Sequence, residues 1–184
     1  MTAPSQYPPE VYATCTGMID QGMVQRIFAG VATASVNKVT HLHVLFQSTG
    51  GTVADGVCLY NFFSTLPIDL TLYNGGSIAS AAAIAYLGAK KRKASTHATF
   101  MLHRASSIIN QPATAGRLKA TTQSLVLDDQ RTEAILRQHL NLSADQWKEI
   151  DQELWLSAAQ AVQVGLAHEV AEFAPPLGTT LYNL

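Results

Sequence analysis

The amino-acid sequence predicts an α/β protein with a mostly parallel β-sheet and right-handed crossovers. Two observations lead there. Runs rich in β-branched and aromatic residues, such as "KVTHLHVLFQS" and "IDLTLYN", alternate with stretches whose apolar residues recur at helical spacing. Two of those runs are also followed by a glycine pair, Gly50-Gly51 and Gly75-Gly76, as expected where a strand turns sharply into a helix.

Taken in order, "VYATCTG" reads as a first strand closed by glycine. "DQGMVQRIFAGVATAS" follows as a helix with Met23, Ile27 and Val31 on one face. After the strand "KVTHLHVLFQS", the stretch "TVADGVCLYNFFSTL" returns to helical period through Val53, Val57, Tyr60 and Phe63 or Ser64. "IDLTLYN" is the next strand. A small-sided helix opened by "GGS" is expected after it, N-capped by Ser77, with Ser80 about one turn inside. "KRKAS" and "TFMLH" give two short strands.

The stretch from Thr114 to Leu140 is polar, with a sparse stripe of Leu118, Leu125, Ile135 and Leu136, which suits a helix packed on a partner rather than in a core. Ser143 is an expected N-cap for "ADQWKE". Ser157 opens a helix that stops at Gly165, and "HEVAEF" closes as a strand. "PSQYPPE" and "APPLG" read as chain ends.

Composition narrows the function classes. The 184 residues suit one domain with a sizeable core, and the 12 basic and 13 acidic residues leave a net charge of -1. No basic run exceeds "KKRK" at 90–93, read as a turn beside a strand, so neither nucleic acid nor an anionic membrane is expected as a partner. Charged residues make up 14% of the chain against about 25% in typical soluble domains. Much of the surface is then neutral, or covered by another subunit. Cys15 and Cys58 lie in apolar runs and read as small buried hydrophobes. No signal segment or membrane span is expected, and the expected location is cytoplasmic.

The chemistry turns on serine and histidine. A serine hydroxyl becomes a nucleophile when a base takes its proton and donors hold the developing oxyanion. Ser80 has alanine on both sides, leaving room for a carbonyl, and backbone amides beside the glycine turns can face an anion. Of the six histidines, His103 ends the apolar strand "TFMLH" and is poised at a strand-to-loop edge. His41 and His43 share one face of a strand; with no third ligand at useful spacing, they read as paired strand residues and no metal is assigned. His97, His139 and His168 read as surface or satisfied groups.

"STGGTVADGVCLYNFF", "GGSIASAAAIAYLGAKKRKAS", "ATFMLHRAS" and "LWLSAAQAVQVGLAHEV" resemble, in order, motifs of the Clp protease proteolytic subunit, an ATP-dependent serine peptidase of the Clp/crotonase-like fold. The resemblance runs from Val11 to Val170. It implies Ser80 as nucleophile and His103 as base, with the amides of Gly51 and Ala81 as oxyanion donors. Glu153 is implied as the acid that orients His103, where aspartate is usual, with Asp151 as fallback. Other departures are Thr49 for proline, Ala82 for glycine, and a segment from Ser80 to Gly88 one residue short.

For the organisation of residues 1–184, the resemblance implies a single Clp-peptidase-like domain. Its head spans about 11–105 and 141–172, and a projecting handle helix spans about 106–140, with short flexible termini. It also implies right-handed ββα units, a substrate-proximal loop in "RASSIINQPATAGR", and stacked heptameric rings joined through the handle. The implied activity is endopeptidase cleavage of unfolded polypeptides inside the ring. No cofactor is expected in the subunit, and ATP enters only through an AAA+ unfoldase partner. Two alternatives stay open: a non-catalytic ring or scaffold subunit, and a crotonase-like acyl-CoA hydratase or isomerase.

Overall fold

A computed structural model describes residues 7–109 and 112–184. In strand β1 (Glu10–Thr16), Val11, Ala13 and Cys15 are buried while the alternate residues are not, the signature of a strand with one face on the core. Helix α1 (Gln21–Val36) covers that face with Met23, Ile27 and Val31, and Asp20 caps it by accepting from the Met23 amide at 2.8 Å. Strand β2 (His41–Ser48) lies parallel to β1, pairing Glu10 with His41 and Tyr12 with His43.

Helix α2 (Val53–Ser64) buries Gly56, Leu59 and Phe63. The expected stripe is displaced, since Val57 and Tyr60 are only half-buried and Ser64 is exposed. Close approach to the next helix explains the shift: a Cβ on Gly56 would stand 2.6 Å from the carbonyl oxygen of Ala81. Cys15 is buried, which pushes its thiol up to about 11. Cys58 is exposed on the outward side of α2, contrary to expectation.

Strand β3 (Asp69–Ala79) runs well beyond the predicted "IDLTLYN". Its first half pairs with β4 (Lys91–Ala94) and its last three residues with β5 (Thr99–Leu102). Asn74 sits at this step, fully buried. Its side chain donates to the Thr99 carbonyl at 2.8 Å and accepts from the Gly76 amide at 3.0 Å. Gly75-Gly76 is therefore a jog inside a strand rather than a strand-to-helix turn. Ser77 is a strand residue opposite Thr99, and the helix it was expected to cap, α3 (Ala81–Leu87), begins only after Ser80. Every residue of α3 is buried, so its alanines serve close packing on both sides.

The handle helix α4 (Ala115–His139) has 25 residues, about 38 Å at 1.5 Å per residue. It buries only Ile135 and Leu136, at the end that meets the body, and leaves Leu118, Val126 and Leu127 exposed. The short helix α5 (Ala144–Glu149) starts from a capping box at Ser143. Strand β6 (Leu154–Ser157), not foreseen, pairs antiparallel with β5, and α6 (Ala158–Gln163) starts from a second capping box at Ser157. Strand β7 (Glu169–Val170) is shorter than expected. The C-terminal residues, expected as a loose end, add β8 (Leu181–Asn183) parallel to β1. The path through the eight-stranded sheet is β6-β5-β3-β2-β1-β8, with β4 beside β3 and β7 beside β4.

The "KKRK" run is partly internal. Arg92 is buried and donates to the carbonyls of Leu166 at 2.9 Å, Ala89 at 3.1 Å and Gly165 at 3.2 Å. Lys90 pairs with Asp69 and Lys93 with Glu169, each at 2.9 Å. No helix among the described residues is long and apolar enough to cross a membrane.

Candidate active site

Ser80 stands between β3 and α3 with φ 56° and ψ −130°. A side-chain-bearing residue with positive φ is uncommon and costs about 1–3 kcal/mol, a strain that a rigid surround must hold in place. Here the surround is specific. The Ser80 amide donates to the Met101 carbonyl at 2.8 Å, and its own carbonyl accepts from the Ala83 amide at 2.9 Å. The sharp strand-to-helix turn lifts the hydroxyl out of the sheet toward solvent.

His103 reaches that hydroxyl because of register. Strand β5 lies beside the end of β3 with Ala79 opposite Met101, so the residues just past each strand meet. The Nε2 of His103 is 2.7 Å from the Ser80 Oγ. Both residues line a groove with Gly51, Ala81, Ile84, Leu102 and Thr132.

Gly51 and Ala81 border this groove. Ala81 opens α3, and the first amides of a helix have no partner within it. Gly51 forms a one-residue parallel bridge with Ile19: the Ile19 amide donates to the Gly50 carbonyl at 2.9 Å, and the Thr52 amide donates to the Ile19 carbonyl at 2.8 Å. Since amides alternate in direction along extended chain, Gly51 presents its own N–H away from Ile19. Ser80, His103, Gly51 and Ala81 thus come together around one groove.

The acids are arranged differently. Glu153 Oε2 accepts from the indole N–H of Trp155 at 3.0 Å, and Asp151 Oδ1 accepts from the Arg104 Nε at 3.0 Å. Among the described residues, the hydrogen bond to His103 comes from Ser80, and neither Glu153 nor Asp151 is bonded to the imidazole. Yet register favours Glu153. Leu102 pairs with Leu154 at the end of the antiparallel β5–β6 ladder, and His103 and Glu153 are the residues just beyond that last pair.

Sequence reasoning missed the tethers of the loop after His103. The Arg104 guanidinium binds Glu133 on α4 as well as Asp151, and the Ala105 amide donates to Asp129 Oδ1 at 2.7 Å. Arg104 first, then Arg137, holds the Glu133 carboxyl below its usual range. The i,i+4 pair Glu133–Arg137 was visible in sequence, but nothing there pointed to Arg104. The expected substrate-proximal loop begins at these tethers; its Asn110 and Gln111 lie outside the described residues, as do positions 1–6 of the N-terminal segment.

Known proteins resemble this chain in sequence and in structure. A family model described as Clp protease matches residues 9–174. The ATP-dependent Clp protease proteolytic subunit 2 of Corynebacterium diphtheriae is 25% identical over 160 residues, covering 85% of this chain and 79% of the relative. A proteolytic subunit of the same name from Pseudomonas aeruginosa is 23% identical over 158 residues, covering 84% and 78%. The ATP-dependent Clp protease proteolytic subunit of Oltmannsiellopsis viridis is 26% identical over 175 residues, covering 90% and 85%. In structure, a ClpP1 mutant from Listeria monocytogenes superposes with a TM-score of 0.73 at 20% identity, covering 90% of this chain and 92% of that one.

Proposed function

Because the chain belongs to the Clp protease family, a family of peptidase subunits, we propose that it is a serine endopeptidase acting on unfolded polypeptides. The observation that carries this reading is the 2.7 Å contact between His103 Nε2 and Ser80 Oγ, made at a strained strand-to-helix turn.

In this mechanism the Ser80 Oγ attacks the peptide carbonyl carbon while its proton passes to His103 Nε2. The tetrahedral oxyanion is held by the amides of Gly51 and Ala81, each such donor being worth roughly 10²–10³ in kcat. His103 then gives its proton to the leaving amine, and the C–N bond breaks to leave an acyl-enzyme. Water, deprotonated by His103, cleaves the ester and restores Ser80. Glu153 orients His103 after turning from Trp155 to the imidazole. Asp151 is the fallback acid, but it is already engaged by Arg104.

The exposed apolar residues along α4 support ring assembly through this helix, as stacked heptamers enclosing the site. An AAA+ unfoldase would deliver substrate and consume ATP. The subunit itself needs no cofactor in this scheme, and a cytoplasmic setting suits it.

A non-catalytic ring or scaffold subunit is the second reading, favoured by one observation: neither acid is bonded to His103. The family match leaves the acyl-CoA hydratase or isomerase reading without support. The test is labelling by a fluorophosphonate together with hydrolysis of a fluorogenic peptide, alongside native mass. The endopeptidase labels at Ser80 and loses both signals in Ser80→Ala and His103→Ala. Absence of label and of hydrolysis in the ring-sized wild type would favour the scaffold.

A further inference from the structure

His41 and His43 have a third companion that sequence spacing does not reveal. Parallel pairing of β1 with β2 sets Glu10 directly opposite His41, and one ligand atom from each of Glu10, His41 and His43 lies within 4.8 Å of the others. We propose that these three side chains bind a divalent transition-metal ion of the zinc class, with water completing the coordination.

The donor set fits that ion. Two imidazoles and one carboxylate are borderline ligands suited to zinc, copper, nickel or cobalt rather than to calcium or magnesium. Bonds of about 2.0–2.2 Å around a tetrahedral ion put donor atoms roughly 3.3–3.5 Å apart. Closing from the present spacing takes rotation about side-chain torsions with the strands in place. The histidine rings already stack at 4.8 Å with an interplanar angle of 8°, and Tyr12 stacks on His43 at 4.6 Å from the other strand.

A supporting group is in place as well. The Nδ1 of His43 is 3.2 Å from the Tyr73 hydroxyl on β3. With Nδ1–H donating to that oxygen, the Nε2 lone pair of His43 is free for the metal, the arrangement usual for metal-bound imidazole. Lys93 and Lys91 are the cations acting on His43; Lys93 lies over the Tyr73 ring and its charge is answered by Glu169 at 2.9 Å. The bound ion would cross-link β1 to β2 beside Pro9, whose carbonyl already accepts from the Thr40 and His41 amides at 2.9 and 3.0 Å.

The experiment uses the untagged 184-residue chain stripped with a chelator, then titrated with zinc chloride by calorimetry and with cobalt chloride by visible absorption. One ion per chain is expected, with a rise in melting temperature and cobalt bands from a low-coordinate nitrogen and oxygen site. His41→Ala and His43→Ala should remove uptake, Glu10→Gln should weaken it, and Tyr73→Phe should weaken it about tenfold. In the wild type, cobalt should broaden the ring resonances of His41 and His43, a readout independent of whether any variant folds. No uptake in excess zinc, uptake undiminished in the His41→Ala/His43→Ala double variant, or broadening confined to other histidines would each overturn the site. None of these readouts depends on peptide hydrolysis.

Discussion

A Cβ atom on Gly50 would stand 2.7 Å from the Cβ of Ser80 and 2.8 Å from the carbonyl oxygen of Ala79, and Gly50 has φ +97°. Position 50 therefore sets how closely the proposed oxyanion turn can approach Ser80. Gly50→Ala is expected to displace that turn by a few tenths of an ångström or more and to lower kcat/KM by up to about 100-fold, as misplacements of catalytic groups do. Peptide hydrolysis measured beside thermal melting checks this. Near-wild-type turnover in a folded variant would remove the role given to this approach.

The hydrogen bond from Trp155 to Glu153 competes with the role proposed for Glu153 toward His103. Trp155→Phe removes the indole donor and keeps an aromatic ring at a largely exposed position, so kcat should rise several-fold. Glu153→Gln should lower kcat by up to about 10⁴, the scale seen when a triad carboxylate becomes an amide. Asp151→Asn should stay within about tenfold of wild type, because it alters a half-exposed ion pair. If Asp151→Asn is the more damaging of the two acid variants, the acid has been misassigned.

Ser77 gives a clean contrast with Ser80. As a helix cap it would contribute about 1 kcal/mol to stability. As a half-buried strand residue opposite Thr99, it should contribute less, so Ser77→Ala is expected within roughly 0.5 kcal/mol of wild type with fluorophosphonate labelling unchanged. Chemical denaturation and labelling kinetics read both quantities. A loss of label in Ser77→Ala would move the nucleophile.

Arg104 and Arg137 hold the Glu133 carboxyl below its ordinary value of 4.5. A carboxyl depressed in the folded state contributes stability that is fully present above its unfolded value and is lost as pH falls through the folded value. The Glu133 contribution should thus hold level above about pH 5 and be lost below about 4.5, on top of a decline that begins nearer pH 6.5 because burial holds the His43, His139 and His168 imidazoles below their ordinary value. Glu133→Gln should reduce the drop, since it removes one of the carboxylates responsible. An identical acid limb in the variant would place the pH dependence elsewhere.

The fold was legible in sequence wherever periodicity and burial agree. Met23, Ile27 and Val31 fall on the buried face of α1, and the capping serines Ser143 and Ser157 begin the helices they predict. Local pattern failed where tertiary contacts decide. Gly75-Gly76 resembles a turn, but Asn74 satisfies the backbone across the jog, so β3 continues to Ala79. The face of α2 was misjudged because Gly56 offers no hydrophobic signal, yet packs closest. At the candidate site, Ser80 and His103 stood out through their small-sided and strand-end settings. The occupation of Glu153 by Trp155 and the placing of Glu10 beside His41 depend on side-chain rotamer and strand register, which no local spacing encodes.

Arg92 and its lysine neighbours have a consequence for ionic strength. Added salt screens the two exposed pairs that Lys90 and Lys93 make with Asp69 and Glu169. It has little purchase on a guanidinium sealed among the carbonyl dipoles of Leu166, Ala89 and Gly165. The attachment of β4 to the segment leading into β7 should therefore persist in brine, and the one basic run of the chain behaves as an internal rivet with two soluble washers.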